Sequence, residues 1–467
     1  MKDKRSRKSF RIGRVRGDLR GNVWYLTYHE NGERHRPRSG PNKQTARQLA
    51  AQINSQLEVG VPAAMSFEAI SIVELQQRWL QHHEQVLRSS VHTINRYRSA
   101  IRHLQRFLWD SRLAQTTSNF RPHHAEQFVG YLRTMKVAPN GHPHTRKRPL
   151  LDKGIKFILQ TCRSMFNYAI KHRHLSPYTE NPFSALDLDR MPIENAKPIV
   201  IFTPTQEREF LTACDDWQFP LFLLLTLTGL RPGELTHLLL PDDLDLDAGW
   251  LYVRNKPRLG WQVKTRNERD IPLMPPLIEV LRVVIGSRAS GPVFLRRRFS
   301  NGELPPLNGS STVMLERELA IRATPLEIQE IDSLSRQARL QIAQTAWRDA
   351  GYIKTDRIRT EFMRLTRKIG LPEFTAPKLL RHLFATSLQD ANIDPLIRCE
   401  LMGHATQATR GSGHPLGMTA TYTHSRPETK RRQLESASMS GPAVAVAVAE
   451  SWLKRSLHLK TDVPAGQ

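Results

Sequence analysis

The run of apolar residues from Phe219 to Leu230 constrains the fold of this chain more than any other feature of its sequence. The run is interrupted by Thr226, Thr228 and Gly229 and is shorter than the roughly 20 apolar residues that a membrane-spanning helix needs. A helix that is apolar on all sides has to be covered by protein on all sides. We therefore predict a helix buried inside a globular domain.

The balance of charged residues indicates a polyanionic partner. The 467 residues include 69 Lys and Arg against 44 Asp and Glu, a net charge of +25. Such an excess opposes compact folding through self-repulsion, so a bound polyanion is expected. Hydrophobic residues make up 39% of the chain, which is enough to bury proper cores and excludes a disordered basic tail. At about 100–200 residues per domain, the length corresponds to roughly two to four domains.

Cysteine and histidine usage excludes several kinds of site. Cys162, Cys214 and Cys399 lie far apart and form no CxxC pair, which excludes a disulfide framework and a zinc ribbon and fits a reducing cytoplasm. The histidine pairs have no Cys or carboxylate beside them at ligand spacing, so no metal site is expected. The basic N-terminal residues are not followed by an apolar segment, so they do not form a secretory signal.

Residues 1–60 carry 14 basic residues against five acidic ones. The segment Val23–Tyr28 consists of strand-forming residues and is followed by an Asn-Gly turn, which predicts an antiparallel hairpin. Thr45 and Gln48 form a candidate capping box before a helical apolar pattern. We predict a small sheet with one helix. Its basic side chains would either enter a DNA groove or belong to a solvated terminal arm.

Residues 66–186 are predicted to be mostly helical. One helix has apolar residues three or four positions apart: Ile94, Tyr97, Ile101, Leu104 and Leu108. A different face of that helix carries Arg98, Arg102 and Arg106. A second helix likewise sets an apolar face against basic residues: Lys153, Lys156, Arg163 and Lys171. Basic outer faces are either simply solvated or grip a nucleic-acid backbone, and their recurrence on two helices favours the second interpretation.

A linker at residues 186–204 precedes a third region, residues 203–435, where candidate chemistry appears. The apolar helix ends in TGLRPGEL, which puts Arg231 at a helix end with Glu234 close enough to hold its guanidinium. This octapeptide is either an anion site or a structural junction between helices. Two strand-like runs follow, Trp250–Val253 and Trp261–Lys264, the second continuing through Thr265 to Leu273, and predict a hairpin with Lys264 near its tip.

Three more motifs complete the pattern: KLLRH at 378–382, LMGH at 401–404 and TATYTH at 419–424. In motif order and context the chain resembles the tyrosine recombinase or phage integrase family. The resemblance implies a mainly α fold with small β elements and four parts. These are an arm-like sheet-plus-helix domain (1–60), a helical, SAM-like core-binding domain (66–186), a mixed α/β catalytic domain (203–435) and a C-terminal tail (436–467).

The resemblance also assigns roles to residues of the motifs. Transfer of a DNA phosphodiester needs a nucleophile, neutralisation of the phosphate oxygens and a proton for the leaving oxygen. Tyr422 would attack and form a 3′-phosphotyrosyl link, so neither ATP nor another cofactor is required. Arg231 and Arg381 would clamp the phosphate, and Lys264 would deliver the proton. Lys378 and His404 would donate further hydrogen bonds to the phosphate.

Two departures from the family pattern stand out. Lys378 occupies the position of the usual first histidine of the HxxR box, and an ammonium cannot act as a neutral base near pH 7 unless its pKa is strongly lowered. The base for Tyr422 is therefore left open. The 18 positions from His404 to Tyr422 hold a Gly- and Pro-rich insert, residues 406–418, and the interval from Phe294 to Lys378 is also enlarged.

Membership of such a family would imply double-stranded DNA as partner and a homotetramer that exchanges strands across two sites. The chain would serve integration or excision of a mobile element in the cytoplasm, at the nucleoid, with accessory DNA-bending or directionality proteins. The tail contains AVAVAVAESWLKRSL, which predicts a short helix that we expect to dock on a neighbouring subunit. Two alternatives stay open: a type IB topoisomerase-like activity, and a DNA-binding protein whose catalytic centre has decayed.

Overall fold

A computed structural model divides the chain into two compact units, residues 1–198 and 199–467. The boundary falls inside the linker expected at 186–204, and the finer division into four parts stays a prediction. The structure describes residues 9–30, 32–60, 63, 67–113, 115–138, 144–175, 179–194, 198–323, 335–404, 425–438 and 443–461.

The first unit begins with an antiparallel sheet covered by one helix. Its elements are β1 (Ser9–Ile12), β2 (Val15–Arg20), β3 (Val23–Glu30), β4 (Glu33–His35), β5 (Arg38–Gly40) and α1 (Lys43–Glu58). Strand β3 pairs with β2, β4 and β5, and its Trp24 and Tyr28 lie in a small core with α1. Helix α1 starts after Asn42, whose side chain accepts hydrogen bonds from the first turn, so the capping box predicted at Thr45 is wrong. The predicted sheet with one helix is confirmed.

Four further α-helices build most of the rest of this unit. They and one two-stranded ribbon are α2 (Ile72–Gln85), α3 (Val91–Asp110), α4 (Pro122–Thr134), β6 (Lys136–Val137), β7 (Arg148–Pro149) and α5 (Asp152–Lys171). The predicted apolar stripe of α3 faces a core shared with α2, α4 and α5. Arg98, Arg102 and Arg106 are exposed on another face of α3, as the pattern indicated.

The second unit surrounds the predicted buried helix. Its helices are α6 (Pro204–Thr212), α7 (Gln218–Thr228), α8 (Pro232–Thr236), α9 (Pro275–Ile285), α10 (Thr312–Ala323), α11 (Arg336–Asp349), α12 (Thr355–Lys368), α13 (Lys378–Asp390), α14 (Pro395–Met402), α15 (Pro427–Ser438) and α16 (Ala443–Thr461). Every residue of α7 is buried, which confirms that prediction. No helix in the described part of the chain is both long and apolar enough to cross a membrane.

Short strands lie between these helices. They are β8 (Leu239–Leu240), β9 (Leu244–Asp245), β10 (Trp250–Val253), β11 (Arg269–Pro272) and β12 (Gly291–Pro292). Strand β10 pairs with β11 and β9, so the predicted hairpin exists, but its second strand is confined to Arg269–Pro272, and the part predicted at Trp261–Lys264 is wrong. The chain turns back at Gly260, and the amide of Val263 donates to the Asn255 side chain instead of to a neighbouring strand. Residues 254–268 are therefore a long connection, which we call the lysine loop.

The predicted C-terminal helix forms as α16 and packs into its own unit. Ala449 and Trp452 lie in the same core as α7. The Trp452 ring stacks on Phe219 at 5.2 Å, and its Nε1–H donates to Asp216 at 3.1 Å. The structure thus differs from the expectation that this tail docks on a neighbouring subunit, because its apolar face is already covered within the chain.

Candidate active site

The turn between α7 and α8 presents Arg231. Helix α7 ends at Gly229, whose φ of +61° is left-handed, and a Cβ there would lie 2.3 Å from the Phe384 ring. Glycine is required at this position for both reasons. Arg231 follows as the N-cap of α8, with Pro232 in the first helical position. Its guanidinium Nη1 lies 2.7 Å from Glu234, whose carboxylate also accepts from the Arg231 amide at 2.9 Å, as the sequence indicated.

Glu234 holds a second guanidinium that the sequence analysis missed. Arg269 of β11 is buried, its Nη2 lies 2.6 Å from Glu234, and its Nε donates to the Leu401 carbonyl at 2.8 Å. Burial raises the pKa of the Glu234 carboxyl, but the hydrogen bonds and charges of Arg269 and Arg231 outweigh that effect, and the pKa lies below its ordinary value. One signal was available: in β11 Arg269 shares the inward side with Ile271.

Arg381 lies in the first turns of α13 and is buried. Its Nη1 donates to the Gly229 carbonyl at 2.6 Å, and its Nη2 donates to the Met402 carbonyl and lies 3.4 Å from His404 Nε2. Burial, and then the charge of Arg231, lower the pKa of Arg381 to about 10. The guanidinium therefore stays charged at neutral pH, with its orientation set by two backbone carbonyls.

His404 follows the end of α14. The left-handed Gly403 makes this turn, and a Cβ there would lie 2.8 Å from Arg269 Nη1. The imidazole is exposed at its surface. Burial of part of the ring lowers the pKa of His404, as do the charges of Arg381 and Arg231, so the ring is neutral at pH 7.

The lysine loop reaches the same place. The hydroxyl of Thr265 donates to the Gly403 carbonyl at 3.2 Å, which puts Lys264 on the chain next to a residue that contacts the His404 turn. The Lys264 side chain is exposed. The other lysine of this loop, Lys256, is buried, and its Nζ lies 2.6 Å from Asp243. Only one of the two lysines is thus exposed at the surface.

Of the remaining motif residues, the structure describes Lys378 and His382 but not Tyr422. Lys378 is the first residue of α13 and is exposed, one turn before Arg381. The pKa of His382 is lowered by burial and then by the charges of Lys378 and Arg381. Tyr422 and the insert at 406–418 lie outside the described residues.

Arg231, Arg381 and His404 are therefore brought together, with Arg269 behind them and the loop of Lys264 alongside. The guanidinium groups of Arg231 and Arg269 pair with the Glu234 carboxylate, and Arg381 lies near enough to feel its charge, so three cations face one anion. Such an excess of positive charge in a partly desolvated place fits an anion that binds several donors at once. No group of three or more His, Cys, Asp or Glu side chains among the described residues could hold a metal ion.

Comparison with known proteins gives a family match and several similar solved structures. Residues 201–429 match the phage integrase family. The chain is similar to the Tn1549 transposon integrase in complex with transposon right end DNA, at 20% identity and a TM-score of 0.49, covering 78% of this chain and 99% of that one. It is also similar to a lambda integrase tetramer bound to a Holliday junction, at 17% identity and a TM-score of 0.45, covering 85% and 98%. No curated protein matches the chain. On this match, residues 201–429 of the chain are a domain of the phage integrase family, the tyrosine recombinases.

Proposed function

We propose that this protein is a site-specific DNA recombinase that cuts and rejoins DNA strands through a 3′-phosphotyrosyl intermediate. The observation that carries the proposal is the meeting of Arg231, Arg381 and His404, each from a different motif, at one positively charged place. Two of these are guanidinium groups, whose planar fork matches the oxygens of a phosphodiester. The family match over residues 201–429 supports the same reaction.

The proposed reaction balances without a cofactor. The Tyr422 oxygen attacks the scissile phosphorus, a P–O bond to tyrosine forms, and the bond from phosphorus to the 5′-oxygen breaks. Lys264 gives a proton to that leaving oxygen, which ends as a 5′-hydroxyl. The phosphotyrosyl bond conserves the energy of the broken bond, so the reverse attack by a 5′-hydroxyl reseals the strand. The residue that takes the proton from Tyr422 is not assigned.

The arginines supply the electrostatic part. Arg231 and Arg381 are oriented by Glu234 and by backbone carbonyls before any substrate arrives, so little reorganisation is needed when charge develops on the phosphate. His404, neutral at pH 7, donates one N–H to a phosphate oxygen. Lys378, exposed at the start of α13, donates from its ammonium in place of the usual histidine.

The substrate is double-stranded DNA with specific recombination sites. The exposed arginines of α3 and the basic sheet of residues 9–40 would bind its backbone, and a homotetramer would assemble on paired sites, as family membership implies. Integration or excision of a mobile element, at the nucleoid of the cytoplasm and with accessory proteins, is the setting we propose. Binding should weaken steeply with salt, because each neutralised phosphate releases close to one counterion.

Covalent capture tests the reaction. The full chain selects its site from random duplex DNA, and that site is then made as a substrate with a nick that lets the cleaved end diffuse away. Wild type should become attached to DNA, whereas Tyr422→Phe should bind without forming an adduct. Tyr252→Phe, a matched change in β10, should form the adduct normally. Adduct formation by Tyr422→Phe would contradict the assignment.

The same protein and DNA substrates distinguish the proposed function from its two alternatives, a topoisomerase-like activity and a decayed DNA-binding protein. A topoisomerase-like enzyme would relax supercoiled DNA as a monomer and would not join two sites. A decayed DNA-binding protein would select a site and form no adduct with it. The substitution at Lys378 is the feature that keeps this second alternative open.

A further inference from the structure

The helical pair α10–α11 lies in the enlarged interval before α13 and packs on the lysine loop. Leu259 of the loop is 1% exposed and belongs to one small core with Trp347 of α11, which is 3% exposed. Other members of that core come from both helices, from the C-cap of α11 and from β8: Leu239, Leu315, Leu319, Ala343, Ala346 and Ala350. The inserted helices therefore bury part of the loop that carries Lys264.

Two contacts fix the loop against α11. The Trp347 Nε1–H donates to the Leu259 carbonyl at 3.0 Å inside this core. Gly260 has a left-handed φ of +67°, and a Cβ there would lie 2.9 Å from the Ala343 Cβ. The approach is so close that any side chain at position 260 would push the loop away from the helix.

The same contacts reach the helix of Arg231. His237 is the C-cap of α8, the helix that Arg231 caps at its other end. Its ring stacks on Trp261 at 4.9 Å and meets Trp347 edge-on at 4.8 Å, and its Nδ1 donates to the Gly233 carbonyl at 2.7 Å. Burial lowers the pKa of His237 to about 3, so the ring stays neutral at working pH.

Beyond Trp261 the loop is held on both sides of Lys264. Val263 is buried, and its amide donates to Asn255 at 2.9 Å. Thr265 donates to Gly403. The backbone of Lys264 is therefore fixed between the α11 contact and the His404 turn, while its side chain is exposed.

We propose that α10–α11 is a positioning element for Lys264, acting through Trp347 and the Leu259–Gly260 turn. This inference rests on the proposed function, in which Lys264 protonates the leaving 5′-oxygen. Trp347 touches neither DNA nor the reacting atoms in this proposal. It holds the lysine loop against the helix of Arg231, so that the proton donor and the phosphate clamp keep one relative placement. A displacement of about 1 Å is enough to cost roughly 10²-fold in rate.

A substrate that needs no proton donor gives the sharpest test. When sulfur replaces the bridging 5′-oxygen, the leaving group departs as a thiolate, because a thiol has a pKa of about 8.5. Lys264→Ala should cut cleavage of the oxygen substrate by roughly 10²-fold or more and should cleave the sulfur substrate almost like wild type. Trp347→Phe removes the hydrogen bond to Leu259 and should lower oxygen cleavage about tenfold, with the same recovery on sulfur.

Two further variants distinguish the positioning of Lys264 from a general loss of stability. Gly260→Ala displaces the loop from α11 without changing α11 and should show the same selective loss. Trp217→Phe removes an equivalent indole hydrogen bond, to the Leu295 carbonyl at 2.8 Å, away from the lysine loop. It should lower stability without distinguishing oxygen from sulfur.

The outcomes separate the two proposals. If Lys264→Ala is not recovered by sulfur, Lys264 is not the proton donor and the proposed function is wrong on that point. If Lys264→Ala is recovered but Trp347→Phe and Gly260→Ala lose both substrates equally, or lose neither, the positioning role of α10–α11 is overturned.

Discussion

The arginines and the lysines of the candidate site are held in opposite ways. Arg381 is buried and donates to the Gly229 and Met402 carbonyls, and Arg231 is clamped by Glu234. Lys264 lies within the lysine loop and Lys378 at the start of α13, and both side chains are exposed. A planar guanidinium can keep some donors on the protein and aim others at a ligand, whereas a flexible ammonium relies on the backbone beneath it. Orientation thus comes from side-chain contacts for one group and from loop or helix placement for the other.

Replacing the most tightly held arginine should have the largest effect. In Arg381→Lys a single ammonium cannot serve two carbonyls and a phosphate, so we expect adduct formation to fall by about 10²- to 10³-fold. Thermal unfolding should show a loss of about 1–3 kcal/mol, because buried carbonyls lose their partner. Arg367→Lys, an exposed change on α12, is the control. Normal adduct yield from Arg381→Lys would remove the distinction between the two groups.

Replacement of Glu234, whose carboxylate pairs with Arg231 and Arg269, should have the next largest effect on adduct formation. In Glu234→Gln, Arg231 and Arg269 lose their counter-charge, and breaking a buried ion pair in this way costs about 3–5 kcal/mol. Adduct formation should fall less than for Arg381→Lys, because the guanidinium of Arg231 is still present but less well oriented. Urea unfolding of the full chain measures the first effect. An unchanged stability would mean that the buried pairing does not hold Arg231.

The stability of the protein in acid should depend on the Glu234 carboxylate. The folded pKa of Glu234 lies below the ordinary 4.5, so the folded state binds fewer protons than the unfolded state in this range. Its stabilising contribution is therefore complete above about pH 4.5 and is lost as pH falls through the folded pKa. Glu234→Gln should show a flatter loss of stability below pH 4.5 than wild type. Parallel curves would contradict the lowered pKa.

Replacement of Lys378 should have the smallest effect of these changes. Lys378→His restores the residue usual in the family and should change cleavage at pH 6 only a few-fold, whereas Lys378→Ala should lose about tenfold or more. If position 378 acts as a charged donor, the histidine variant should lose activity as pH rises above about 6.5, and the wild type should not. The pH profile of cleavage distinguishes this from a purely structural role.

Local features were predictable from the sequence, and contacts between distant residues were not. The α7 helix, the placement of Arg231 and its bond to Glu234 all involve residues close together in the chain. The role of Arg269 was not predictable from the sequence, because its partner Glu234 lies 35 positions away and on another element. The Trp261–Lys264 segment has strand-forming residues, but Trp261 pairs with Lys256 in an isolated bridge and the Val263 amide donates to the Asn255 side chain, so no strand forms there.

The burial of α16 has a consequence for how the protein is made. Trp452 closes the core over α7 and bonds to Asp216, 236 positions earlier in the chain. A ribosome therefore releases α7, with all its side chains apolar or buried, long before the helix that covers it exists. During synthesis, part of the surface of α7 therefore stays uncovered until α16 has emerged.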